Sequence, residues 1–99
     1  MGTPLRGRLV VQPPSPNPFN PRVVVRFVTP TAQPGRVDVY DLAGRRVRTL
    51  LHDPSLPAGP HQLIWDGTDR RNASVSSGVY IFRVQSGAEA VTMKVTLLR

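Results

Sequence analysis

The sequence predicts an all-β protein, an antiparallel sandwich of about seven strands, and three observations carry that prediction. Eleven prolines and eight glycines cut the 99 residues into pieces too short for helices of about ten residues or more. Apolar side chains recur at every second position, the period of a strand with one buried face. Turn residues fall roughly every eight to twelve positions, the spacing of a sandwich or barrel. A chain of this length buries about 60–65% of the surface its unfolded form exposes, enough for one domain around one modest core.

The elements follow in order. Gly7–Gln12, carrying Leu9, Val10 and Val11, reads as an edge strand closing an N-terminal tail of residues 1–12, and residues 13–99 form the domain proper. Pro13–Pro21 cannot be a central strand, because proline gives no N–H to a ladder; it reads as an extended lead-in. Residues 22–28 alternate clearly, with Val23, Val25 and Phe27 on one face and Arg22, Val24 and Arg26 on the other. Thr29–Gly35 is a turn cluster, and Arg36–Asp41 resumes with Val37 and Val39 opposite Asp38 and Tyr40. Leu42–Gly44 makes a tight connection in which Gly44 takes a positive φ, leading into Arg45–His52 with Arg46 and Arg48 outward and Val47, Thr49 and Leu51 inward. Asp53–Pro60 holds three prolines and reads as a loop. His61–Trp65 is a strand, Asp66–Gly78 the longest loop, and Val79–Ser86 and Ala88–Leu98 a final hairpin about Gly87. Tyr80, Phe82 and Val84 share one face of the first arm of that hairpin, and Val91, Met93, Val95 and Leu97 share one face of the other. Seven such strands suit an immunoglobulin-like plan better than any helical one.

Composition excludes several function classes. Without cysteine there are no disulfides, thiolate metal sites or cysteine nucleophiles. No apolar run approaches the ~20 residues that span a bilayer, and Met1–Val11 lacks the pattern of a leader, so the chain reads as soluble and as part of something longer. His52 and His61 are the only histidines, and no G-x-S-x-G or paired-carboxylate motif accompanies them, so no enzyme is expected. His61 reads instead as a hydrogen-bonding group at a strand start. The formal net charge is +7, and twelve of the thirteen basic residues are arginine. Solvated strand faces account for most of them, with an anionic partner as the other reading. Nucleic acid is not expected, because the aromatics that would stack bases read as inward.

Asp66, Asp69 and Asn72 place three oxygen-bearing side chains in one loop, a weak candidate for calcium. Their spacing is not that of a known calcium loop, two arginines intervene, and capping of loop N–H groups is the better use for them. Trp65 suits one end of the core, where its indole N–H needs a partner; a sugar-stacking role for Trp65 or Tyr40 is the alternative.

Five motifs in order, PNPFNP (Pro16–Pro21), VYDLAGRRVRTL (Val39–Leu50), AGPHQLIWDG (Ala58–Gly67), SGVYIFRV (Ser77–Val84) and KVTLLR (Lys94–Arg99), resemble one family. It is the immunoglobulin-like C-terminal sorting domain of proteins exported by the bacterial type IX secretion system, similar in turn to the immunoglobulin-like domain of the flagellar hook-capping protein. One departure is Asn72, where many relatives have glycine; asparagine best tolerates the left-handed backbone such a turn needs. The resemblance implies an adaptor that needs no cofactor. It would sit behind a cargo domain, reach the surface of a Gram-negative-type bacterium through the periplasm, and be read by the outer-membrane export machinery. Recognition would fall on the terminal strand, Lys94, Val95, Thr96, Leu97, Leu98 and Arg99, while Phe19, Tyr40, Gly44, His61, Trp65, Gly78 and Tyr80 would be structural. Anionic lipopolysaccharide would suit the basic surface. A filament module like the hook cap and a carbohydrate-binding module remain the alternatives.

Overall fold

The computed structural model describes residues 8–99, so the first seven positions of the expected tail lie outside the described residues. The elements are β1 (Val10–Val11), β2 (Val23–Thr29), β3 (Gln33–Asp41), β4 (Arg46–Leu56), β5 (Gly59–Trp65), β6 (Gly78–Ser86) and β7 (Glu89–Leu97). They form two antiparallel sheets, one ordered β1-β2-β5 and the other β4-β3-β6-β7. The predicted all-β immunoglobulin-like sandwich is the fold observed.

Alternation builds the core. Val23, Val25 and Phe27 of β2 face Val37 and Val39 of β3, Phe82 and Val84 of β6, and Val95 and Leu97 of β7, each almost wholly shielded from solvent. Burying a side chain of this size contributes about 1.5–3 kcal/mol, so these two faces supply the main driving force for folding. Trp65, fully buried, fills one end with Phe19.

The proline segment does not run straight. Ser15 bridges Val24 in the first sheet and Phe19 bridges Leu97 in the second, so the chain must bend between them and straps the two sheets together. The peptide bonds before Pro16, Pro18 and Pro21 are cis.

Three further expectations are corrected. The Asp53–Pro60 loop shrinks to Pro57 and Ala58, with strand on either side. Its other prolines are tolerated because β4 and β5 each pair with one neighbour only, which leaves the missing N–H facing solvent. β3 begins at Gln33 rather than Arg36 because Gly35 lacks the Cβ that would stand 2.5 Å from Leu56 Cδ2, and Leu56 packs into that space. Beyond a first register shift, where Gln33 pairs with Leu56 but Gly35 with Asp53, β4 is bulged twice against β3: Val37 pairs with Leu51 but Asp38 with Thr49, and Val39 with Arg48 but Tyr40 with Arg46. Each bulge inserts one residue and exchanges the faces beyond it. Thr49 therefore lies beside Asp38 instead of inward, and Arg48 turns toward the long loop instead of outward.

Asp38 lies on the face opposite Val37 and Val39, as alternation places it, and is buried there. It is 2% exposed, and its carboxylate accepts hydrogen bonds from Thr49 Oγ1 at 2.6 Å and Arg36 Nε at 2.8 Å. The arginine offsets the cost of burying the charge.

Candidate functional site

The terminal strand, the loop of residues 66–77 and the proline strap meet at one end of the sandwich. Trp65 organises that end. Its ring lies 5.5 Å from Phe19, 5.2 Å from Tyr80 and 5.9 Å from Phe82, tilted or edge-on, and its Nε1–H donates to Thr68 O at 2.8 Å. The buried indole offers no face to a sugar. Tyr40, the other suggested platform, is half-buried on the outer face of its sheet, between Arg46 and Ile81. Tyr80 Oη donates to Ser76 O at 2.6 Å, tying the start of β6 back to the loop.

The loop is held by its own carboxylates. Asp69 Oδ1 accepts from Arg71 N at 2.8 Å and Ala73 N at 3.1 Å, and these backbone donors hold its pKa below the ordinary value of 3.8. Asp66 Oδ1 accepts from Thr68 Oγ1, and chiefly for that reason its pKa is also lowered. Asn72 adopts φ +61°, the left-handed backbone, and its Oδ1 accepts from Arg48 Nη1 at 3.1 Å. The same Nη1 donates to Thr68 Oγ1 and to Asp69 O. The three candidate calcium ligands are thus spent on turn N–H groups, a hydroxyl and a guanidinium, and the cation among them is Arg48. No group of three or more histidine, aspartate or glutamate side chains is placed to hold a metal among the described residues.

Of the six residues expected to carry recognition, the fold uses most internally. Val95 and Leu97 are buried. Thr96 is covered along the outer edge of β7: its N–H donates to Asn17 Oδ1 at 2.9 Å and its carbonyl accepts from Phe19 N at 2.9 Å, while Leu98 N donates to Phe19 O at 3.0 Å. Arg99 is pinned, Nη2 to Gly67 O and Nε to Val75 O, each at 2.7 Å. Lys94 and Leu98 present exposed side chains.

Of the remaining structural candidates, Gly44 and Gly78 lie at the same end and His61 at the other. Gly44 has φ +85° in the β3–β4 turn, where Asp41 Oδ1 accepts from Ala43 N and Arg45 N, both at 2.9 Å. Those bonds, led by the Arg45 amide, lower the Asp41 pKa. Gly78 opens β6 at φ +155°. At the opposite end, His61 Nε2 lies 2.8 Å from Pro57 O; a carbonyl only accepts, so this nitrogen carries the proton.

Sequence reasoning missed Asp38, Arg48 and Asn17. Asn17 stands among prolines, and its neighbours gave no sign that it faces the last strand 77 and 79 positions away.

Two antiparallel sheets in this order, a buried tryptophan across them and a tyrosine near the start of β6 tied back upstream define an immunoglobulin-like sandwich. More particularly, the profile of the FlgD Ig-like domain matches residues 22–94, and the chain belongs to that family. Among solved structures the chain is similar to dimeric latent PorU from Porphyromonas gingivalis, at 23% identity and TM-score 0.64 over 91% of this chain and 9% of that one. It is similar to FlgD from Xanthomonas campestris, described in the context of hook capping in flagellar assembly, at 21% identity and TM-score 0.60 over 91% of this chain and 67% of that one. It is also similar to PorZ, a surface component of the type IX secretion system of P. gingivalis, at 20% identity and TM-score 0.56 over 92% of this chain and 11% of that one. The chain thus spans about a tenth of the length of PorU and PorZ. No curated protein sequence matches it significantly.

Proposed function

We propose that this chain is a C-terminal sorting and surface-attachment domain, an adaptor without catalytic activity, which the type IX export machinery reads as it delivers an upstream cargo domain to the bacterial surface. The observation that carries this reading is the placement of KVTLLR. A terminal strand buried on one side, clasped by the strap and pinned through Arg99, presents Lys94 and Leu98 in a fixed geometry, as a rigid signal requires. Family membership and the fold shared with PorZ support it. Lipopolysaccharide remains a salt-sensitive partner on the strength of the net charge alone.

Deleting Lys94–Arg99 would remove the buried Val95 and Leu97 and confuse misfolding with lost recognition. The better test is the double substitution Lys94→Glu/Leu98→Ser in the full-length parent. The cargo should accumulate in the periplasm while the domain keeps its thermal midpoint; surface delivery at the normal level overturns the proposal.

A second reading has its own support, since the chain covers 67% of a FlgD, a far larger share than of PorU or PorZ. In that case the domain is a structural module of an extracellular filament. The parent gene separates the two: a hook cap is short, whereas a sorted cargo carries a large region upstream.

A further inference from the structure

All six carboxylate side chains lie among the described residues, and among those residues they pair with only three arginines: Arg8 with Glu89 at 3.8 Å, Arg36 with Asp38 at 2.8 Å and Arg45 with Asp41 at 3.0 Å. Arg48 and Arg99 are occupied by loop oxygens. Arg46, Arg70 and Arg71 are exposed, and among the described residues their side chains have neither an ion pair nor a hydrogen bond.

These three stand together because of the second bulge in β4. Val47 is the inserted residue there, and its carbonyl accepts from Arg70 N at 3.2 Å, which draws Arg70 and Arg71 beside Arg46. Two depressions open on either side of that contact and share Arg46, Val47 and Arg70 in their walls. Half-buried Val47 and Val75 line the larger one, and Asp41 and Asp69 also border it. The result is a groove with an apolar lining, three free guanidinium groups and two fixed carboxylates.

We propose that this groove binds an extended acidic peptide segment, its carboxylates held by Arg46, Arg70 and Arg71 and its apolar side chains resting on Val47 and Val75. Guanidinium forks match carboxylates in geometry as well as charge. Asp41 and Asp69 decide against a densely charged ligand, which would meet both. An extended peptide presents side chains on one face only every ~6.6–7 Å, so it can set its charges against the arginines and neutral groups against the aspartates. A flat anionic membrane would need cations on a common plane, and these lie in a concavity. The site stands whether or not the chain sorts cargo.

Fluorescence anisotropy with a labelled peptide of repeating Glu-Glu-Val-Val, which when extended presents glutamate and valine in turn on each face, titrated with the chain at low and near-physiological salt, tests this. Arg46→Gln/Arg70→Gln should weaken binding by about tenfold or more, since each lost charged hydrogen bond is worth a large part of that factor. Arg22→Gln/Arg26→Gln, which removes equal charge elsewhere, should weaken it less than about threefold, as expected for diffuse screening alone. None of these side chains is buried, so both variants should keep the wild-type thermal midpoint. Absence of peptide binding, or equal loss in the two variants, overturns the proposal. So does tighter binding to phosphatidylglycerol vesicles that only the groove variant loses, which would make the site a membrane contact.

Discussion

Hydrogen bonds of single side chains decide how this end of the sandwich holds. Tyr80 keeps its ring in the core in Tyr80→Phe and loses only the bond to Ser76 O, so urea denaturation should show a loss of about 0.5–1.5 kcal/mol. A larger loss would mean that the hydroxyl orders the loop as well. The aspartates give a pH signature. The pKa values of Asp41, Asp66 and Asp69 are lowered from 3.8 in the fold, so the folded state favours their charged forms. Their contribution is fully present above the unfolded value and is lost as the pH falls through the lower folded values. Asp69→Ala should therefore melt below the wild type at pH 7, and the gap should narrow as the pH drops under about 4. A gap of constant size across that range would contradict the role given to the carboxylate.

Strands differ in how far their sequence announces them, and the reason is local. β2 was legible because seven residues alternate without interruption, burying Val23, Val25 and Phe27 in register. β4 was not: two bulges exchange its faces, and prolines that elsewhere end a strand are harmless at a sheet edge. The burial of Asp38 escaped for a related reason, since alternation gives its side of the sheet correctly but not that Thr49, moved by the first bulge, and Arg36 would cover it. Arg48, turned by the bulges, is what fastens the long loop to β4. In Arg48→Met the amides of Arg71, Ala73 and Val75 should exchange about 5–30-fold faster, as a local loss of one or two kcal/mol implies, while those in the middle of β6 keep their protection. Equal acceleration in both places would show that Arg48 supports the whole sandwich instead. Gly67 tests the clasp on the terminal strand. At φ +73°, with an added Cβ 2.8 Å from Arg99 Nη2, Gly67→Ala should lower stability by about 1–2 kcal/mol or more in thermal melts.

Across the whole molecule, the candidate site was legible in part. Period-two reading placed Val95 and Leu97 on one face of the last strand, and that face is the buried one. That Asn17 and Phe19 cover Thr96, and that Arg99 reaches Gly67 and Val75, are long-range contacts without a local signal. The groove escaped for the same reason: Arg46 and Arg70 lie 24 positions apart, and only the β4 bulge brings them together. What remains on the outside is a basic sandwich whose terminal strand is held from three directions. The most direct measurement is sufficiency: the chain fused behind an unrelated reporter that enters the periplasm, expressed in a bacterium with a working type IX system. The account predicts reporter on the cell surface, dependent on that system. A reporter that stays in the periplasm while the fused domain is folded would contradict it.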